Sequence, residues 1–155
     1  MTDGKLYYNE SGECFKVFDV KDGLGIKLIQ KHLEVAIVSG NSSKIIHVRA
    51  KSLEINHCYT SITEKRNLIK SIQTKLNVDS TETMFVGDDL NDLTVLPDVE
   101  LFVVPADAHP LVKARSNLVL SSSGGNGAVR EVVDLILREK GFLNEFLDGI
   151  QIRNE

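Results

Sequence analysis

The run Met84-Phe85-Val86-Gly87-Asp88-Asp89-Leu90-Asn91-Asp92 constrains this chain more than any other stretch, because three apolar residues stop at a glycine and open onto three carboxylates within five positions. An apolar run of that length is too short for a helix and reads as a buried strand. Carboxylates at the carboxyl end of such a strand stand where open α/β sheets bind their ligands, and hard oxygen donors favour Mg²⁺. Like charges this close repel unless a cation compensates them. Helix capping by Asp89 explains one of the three at most.

Other short apolar runs alternate with amphipathic segments. Strands are expected at residues 35–39, 57–59, 84–86, 101–104 and 118–120. Helices are expected at residues 25–31, 42–53, 62–76, 110–115 and 128–138, with one more running to about Leu96 and ended by Pro97. Residues 5–8 and 15–20, joined by the turn Asn9-Glu10-Ser11-Gly12, read as a β-hairpin. Strand alternating with helix implies an α/β fold with a mostly parallel sheet covered on both faces. At 155 residues, with 42% hydrophobic and 26% charged, the chain suits one soluble domain with a proper core.

Several classes of partner find no support. A net charge of -4 offers no electrostatic footprint for nucleic acid. No apolar run approaches the roughly 20 residues that span a bilayer, and the polar N-terminus does not read as a signal peptide. Cys14 and Cys58 lack metal-ligand spacing, so two reduced thiols in a cytoplasmic protein are expected. His32, His47 and His57 show no ligand spacing either and read as structural or exposed.

Two further strand ends bear candidate chemistry. The stretch Val38-Ser39-Gly40-Asn41-Ser42-Ser43 runs from a strand through small residues into a helix, where backbone N–H groups and the Ser39 hydroxyl suit a phosphate. Its structural alternative is that Ser42 merely caps the helix. Lys65 follows the next short strand and suits a phosphate as a point charge, although most lysines are simply solvated.

Taken together, a hydroxyl, a lysine and a carboxylate cluster at successive strand ends resemble the second, third and fourth motifs of the haloacid dehalogenase superfamily. Within it, the chain is similar to the small capless sugar-acid phosphatases. This likeness rests on Thr2-Asp3-Gly4, Val20-Lys21-Asp22-Gly23-Leu24-Gly25-Ile26, Ala106-Asp107-Ala108-His109-Pro110 and Gly124-Gly125-Asn126-Gly127-Ala128-Val129-Arg130-Glu131-Val132. The resemblance implies a single Rossmann-like, three-layer domain over residues 1–155, with the hairpin at 5–18 packing into a homotetramer and a C-terminal tail at 141–155. It implies Mg²⁺ held by Asp88, with Asp89 and Asp92 in support, and phosphate held by Ser39, Gly40 and Lys65. Asp19, Val20, Lys21, Asp22 and Gly23, with Lys27 and Arg49, are implied to contact the substrate. That substrate would be 3-deoxy-D-manno-octulosonate 8-phosphate, or alternatively a nine-carbon sialic-acid-type 9-phosphate. The alternative arises because Asn41 and Asn126 stand where the family has arginines, and a neutral amide recognises carboxylate or phosphate less well than a bidentate cation.

The family's first motif, Asp-x-Asp-Gly-Val-x-Thr-Asp-Gly, supplies a nucleophile that forms an aspartyl-phosphate and an acid/base. Here Met1-Thr2-Asp3-Gly4 matches only its end, so none of the 155 residues is assigned a catalytic carboxylate, and Asp3 aligns with a later position. The first central strand, which precedes that motif, is expected to be missing as well, leaving its place between the strands ending at Ser39 and Gly87 vacant. The expectation is a sequence that starts inside the motif. A noncatalytic binding or assembly subunit is the alternative.

Overall fold

The computed structural model describes residues 1–144, apart from the side chains of residues 13 and 14. The thiol of Cys14 and the greater part of the expected tail therefore lie outside the described residues. Tyr7–Asn9 (β1) and Gly12–Phe15 (β2) form the antiparallel hairpin, with Tyr7 stacked on Phe15 at 4.4 Å. Its second strand lies earlier than the expected residues 15–20 and shares only Phe15 with them. The second strand ends at Phe15, because Asp19 already caps the next element by accepting from the Lys21 N–H at 2.6 Å.

That element is the helix Val20–Ile29 (α1), which starts five residues before the expected position. Gly23 and Gly25 do not break it. They allow close approach instead, since a Cβ on Gly23 would lie 2.5 Å from Arg49 Nη2, and one on Gly25 would lie 3.4 Å from Arg130 Cα. Tertiary packing here outweighs the low helix propensity of glycine.

Five short strands follow in βα alternation. Ala36–Val38 (β3) pairs in parallel with His57–Tyr59 (β4), joined through the helix Lys44–Ser52 (α2). Lys65–Leu76 (α3) then leads through a short 3₁₀ turn, Ser80–Glu82, to Met84–Val86 (β5). The strand β5 pairs in parallel with Leu101–Val104 (β6), and β6 with Leu118–Val119 (β7). Between the last strands lie the single helical turn Pro110–Lys113 (α4) and, after β7, the helix Ala128–Glu139 (α5). The segment after Asp89 is a 3₁₀ stretch, Leu90–Asp98, and Pro97 lies inside it instead of ending an α-helix.

The parallel strands form two sheets, β3-β4 and β5-β6-β7, parted where the sequence reading leaves a place between the strands ending at Ser39 and Gly87. Among the described residues no ladder joins β3 to β5. Side chains bridge them: Val38 of β3 packs on a core of Ile69, Phe85, Val95, Phe102, Val104, Ala108 and Val112, drawn from α3, β5, the 3₁₀ stretch, β6, the turn before α4 and α4 itself. A second core, Val103, Leu120, Ala128 and Val132, fastens α5 to the other face of the three-stranded sheet. Helices therefore cover both faces of the strands, as alternation implied.

Candidate functional site

The turn after β3 is built from a staircase of side chains that accept from backbone donors two residues ahead. Ser39 Oγ accepts from the Asn41 N–H at 3.1 Å, Asn41 Oδ1 from the Ser43 N–H at 2.7 Å, and Ser43 Oγ from the Ile45 N–H at 3.4 Å. Such Asx and Ser turns compete with helix and delay its start. The cap of α2 is consequently Ser43 and not Ser42. With its oxygen accepting from Asn41, the Ser39 hydroxyl keeps its own proton to donate. Backbone bonds from Ser39 N–H to Tyr59 O at 2.9 Å and from Ile62 N–H to Ser39 O at 3.0 Å lock this turn to the end of β4. Gly40 is exposed within it.

Lys65, the first residue of α3, is buried and turns its ammonium toward the other sheet. Its Nζ lies 2.5 Å from Asp92 Oδ1 and 3.5 Å from Asn91 Oδ1. Asp92 is fully occupied: its other oxygen accepts from the Asp88 N–H at 2.9 Å and the Asp89 N–H at 3.2 Å. Gly87 makes this possible, because a Cβ there would lie 2.7 Å from Asp92 Cγ. Asp89 caps the 3₁₀ stretch, accepting from the Leu90 N–H at 2.7 Å. Of the three carboxylates, Asp88 alone has no hydrogen bond to its side chain among the described residues.

The environment of Asp88 fits a cation. Desolvation by the atoms packed around it, then the charge of Asp92, hold its carboxyl above the usual range, while Lys65 opposes them. Asp107 adds further negative charge. No group of three or more His, Cys, Asp or Glu side chains that could hold a metal is found among the described residues.

The expected substrate residues divide into two kinds. Lys21 and Lys27 of α1 are exposed cations, and Val20 is 80% exposed. Asp19, Asp22, Gly23 and Arg49 serve the architecture: Asp19 caps α1, and Arg49 donates to Asp19 O at 3.3 Å while its guanidinium sits 5.4 Å from the Phe18 ring. A groove of about 460 Å³ brings Asp19 and Lys21 together with Asn126, Arg130, Asp134 and Arg138.

Sequence reasoning passed over three carboxylate contacts near the loop of residues 121–127. Glu131 accepts from the Ser121 and Ser122 N–H groups at 2.9 and 2.8 Å, Asp107 from the Gly124 N–H at 2.8 Å, and Asp22 from the Arg130 N–H at 2.9 Å. Gly124 and Gly125 rest against Thr2 and Asp3, where a Cβ would lie 2.9 and 2.4 Å from backbone atoms. The clustered glycines were the one available signal. The histidines follow expectation: His57 is buried beside Glu34, His32 stacks on Phe142, and His47 meets Thr60. His109 caps α4 through Nδ1, and its N–H donates to Asp88 O. Cys58 is a free thiol pushed up in pKa by burial.

The sequence pattern of haloacid dehalogenase-like hydrolases matches residues 4–132. The chain is 40% identical over 146 residues to the 3-deoxy-D-manno-octulosonate 8-phosphate phosphatase of Escherichia coli K12, covering 94% of this chain and 78% of that protein. The Moraxella catarrhalis 3-deoxy-D-manno-octulosonate 8-phosphate phosphatase, solved with magnesium, phosphate and KDO, is similar at a TM-score of 0.90 and 33% identity, over 96% of this chain and 86% of that one. A cobalt-bound phosphatase of the same kind from Haemophilus influenzae gives a TM-score of 0.87 at 37% identity, over 90% and 82% of the two chains.

Proposed function

The chain belongs to the haloacid dehalogenase-like hydrolase family, and from that premise we propose a scaffold for Mg²⁺-dependent hydrolysis of a sugar-acid phosphate, with 3-deoxy-D-manno-octulosonate 8-phosphate as substrate. The buried Lys65–Asp92 pair is the observation that supports this best, because it fixes an ammonium beside Asp88. Two of the three ammonium protons face Asp92 and Asn91, which leaves one for a phosphoryl oxygen. Ser39 and Gly40 offer a hydroxyl and backbone donor at the end of β3. Asp88 would hold Mg²⁺, while Asp89 and Asp92 keep its backbone in place. When bound, the metal neutralises charge on the transferring phosphoryl group. Lys21 and Lys27, exposed on α1, together with Arg49, would supply the cations for a substrate with both a carboxylate and a phosphate.

The nucleophile is not assigned to any of the 155 residues, which contain no Asp-x-Asp pair. That same observation favours the second reading, a noncatalytic subunit that keeps phosphate and metal ligands. Asn41 and Asn126 favour a nine-carbon sialic-acid-type 9-phosphate as the alternative substrate. The exposed apolar hairpin supports a homotetramer as the assembled form.

The test is phosphate release from 3-deoxy-D-manno-octulosonate 8-phosphate, with and without Mg²⁺, by the 155-residue chain beside one extended through the upstream reading frame. Release by the extended chain only is expected. Release by the short chain would refute the placing of the nucleophile outside these residues. Silence in both, with the nine-carbon phosphate also inert, would favour the noncatalytic subunit.

A further inference from the structure

The helix α5 starts at Gly127, which has no side chain to cap it, and its φ is +87°. Unpaired N–H groups in the first turn need an acceptor, ordinarily the side chain of the residue just before the helix. Here the acceptor comes from another helix, 108 residues away in sequence: Asp22 Oδ1 takes the Arg130 N–H at 2.9 Å, and the Val129 N–H lies close enough to favour the charged carboxylate. Arg130 and Val129 are the third and second residues of α5, the positions a capping oxygen serves.

Asp22 is only 4% exposed, and its Oδ2 has no hydrogen-bond partner among the described residues, although the charge of the Met1 amine acts on the carboxylate. A buried orphan oxygen is costly, so an apolar residue here would relieve a penalty but leave α5 uncapped. The contact also links two parts of the proposed site. On one side, Asp22 is flanked by Lys21 and lies on the helix that bears Lys27. On the other, α5 carries Glu131, which holds residues 121 and 122, and it follows directly on the loop that contains Asn126 and is tied to Asp107.

We infer that Asp22 is a positioning residue: its buried carboxylate caps α5 from α1 and so sets the distance between Lys21 and the loop of residues 124–127, which face one groove, without touching the ligand. The inference rests on the sugar-acid reading above for its ligand, and on the Asp22–Arg130 contact alone for its mechanism. It differs from the resemblance, which implies that Asp22 contacts the substrate.

The experiment compares Asp22→Ala and Asp22→Asn in the 155-residue chain. Asparagine keeps an acceptor oxygen for the Arg130 N–H, whereas alanine removes it. Amide hydrogen exchange at Gly124, Gly125, Gly127 and Arg130 should quicken about fivefold in Asp22→Ala, the size of a lost helix cap, and stay near the parent in Asp22→Asn. Binding of free 3-deoxy-D-manno-octulosonate, read by calorimetry, should weaken by roughly tenfold in Asp22→Ala, the scale of a lost hydrogen bond to a charged group, and be rescued in Asp22→Asn. Inorganic phosphate, held by Ser39 and Lys65, should bind all three proteins alike, which a general loss of structure would not allow.

Loss of sugar-acid binding in both variants with unchanged exchange would mean direct contact and overturn the inference. Equal loss of sugar acid and phosphate would overturn it as well. If the parent binds neither ligand, the sugar-acid reading fails, while the exchange rates still judge the cap. Should Asp22→Ala not fold, the parent decides: the Arg130 amide proton must shift as the Asp22 carboxyl titrates, and an unmoved resonance refutes the cap.

Discussion

Lys65 Nζ and Asp92 Oδ1 stand 2.5 Å apart in a pair whose side chains are 10% and 3% exposed, and this contact joins the β4 side of the fold to the β5 side. Removing one partner of such a pair strands the other charge in the interior. Asp92→Asn or Lys65→Met should each lower the stability read by urea unfolding by about 3–5 kcal/mol. The double change Lys65→Met with Asp92→Leu should cost less than the sum, because neither charge is then left alone.

Gly87 has no room for a methyl group, since the Asp92 carboxylate occupies it. Gly87→Ala should therefore push Asp92 off both Lys65 and the Asp88 N–H, at about 2 kcal/mol in stability from overpacking. Phosphate affinity should fall along with stability. Calorimetric titration with inorganic phosphate, at a temperature where the variant remains folded, reads the second effect.

Glu131 gives a pH dependence of known sign. Burial works to raise its pKa, but the donors of Ser121 and Ser122 outweigh it and hold the carboxyl below its ordinary 4.5. Stability from a depressed carboxyl is present above the unfolded-state value and is lost as pH falls through the folded one. Glu131→Gln should therefore melt below the parent at neutral pH and converge with it in acid. Parallel melting curves across that range would refute the assignment.

Asp22 titrates with the opposite sign. Burial raises its pKa above 3.8 despite the Arg130 hydrogen bond. The stability linked to a raised carboxyl is complete below 3.8 and is lost as pH climbs through the folded-state value. Asp22→Asn, neutral throughout, should match the parent in acid and exceed it in urea midpoint at neutral pH.

The hairpin exposes Leu6, Tyr8, Phe15 and Val17 at 47–66%. Scattered apolar residues on a surface are ordinary, but four within one small hairpin suggest a covered face. Tyr8→Glu with Val17→Glu should shift sedimentation toward the monomer while leaving the melting of a dilute sample unchanged. A parent that sediments as a monomer would remove the basis for the homotetramer.

The strands at residues 84–86 and 101–104 lie where the sequence put them, because each is a short apolar run bounded by polar or turn residues. The start of α1 was not legible. Two glycines in its first turns argue against helix locally, and only the facing Arg49 and Arg130 explain them. The 3₁₀ form of residues 90–98 was also hidden, since an Asp89–Asp92 capping box suits either kind of helix.

Sequence spacing by itself set Ser39 directly after β3 and Asp88, Asp89 and Asp92 after β5, because apolar runs stop there, and Lys65 at the start of α3. What each carboxylate does was left to tertiary structure. Asp92 meets Lys65 across 27 positions and Asp22 meets Arg130 across 108, so no local pattern could tell an ion pair, a helix cap and a carboxylate without a hydrogen bond apart. A carboxylate has the same chemistry in all three roles, and only the donors that long-range packing brings to its oxygens decide among them.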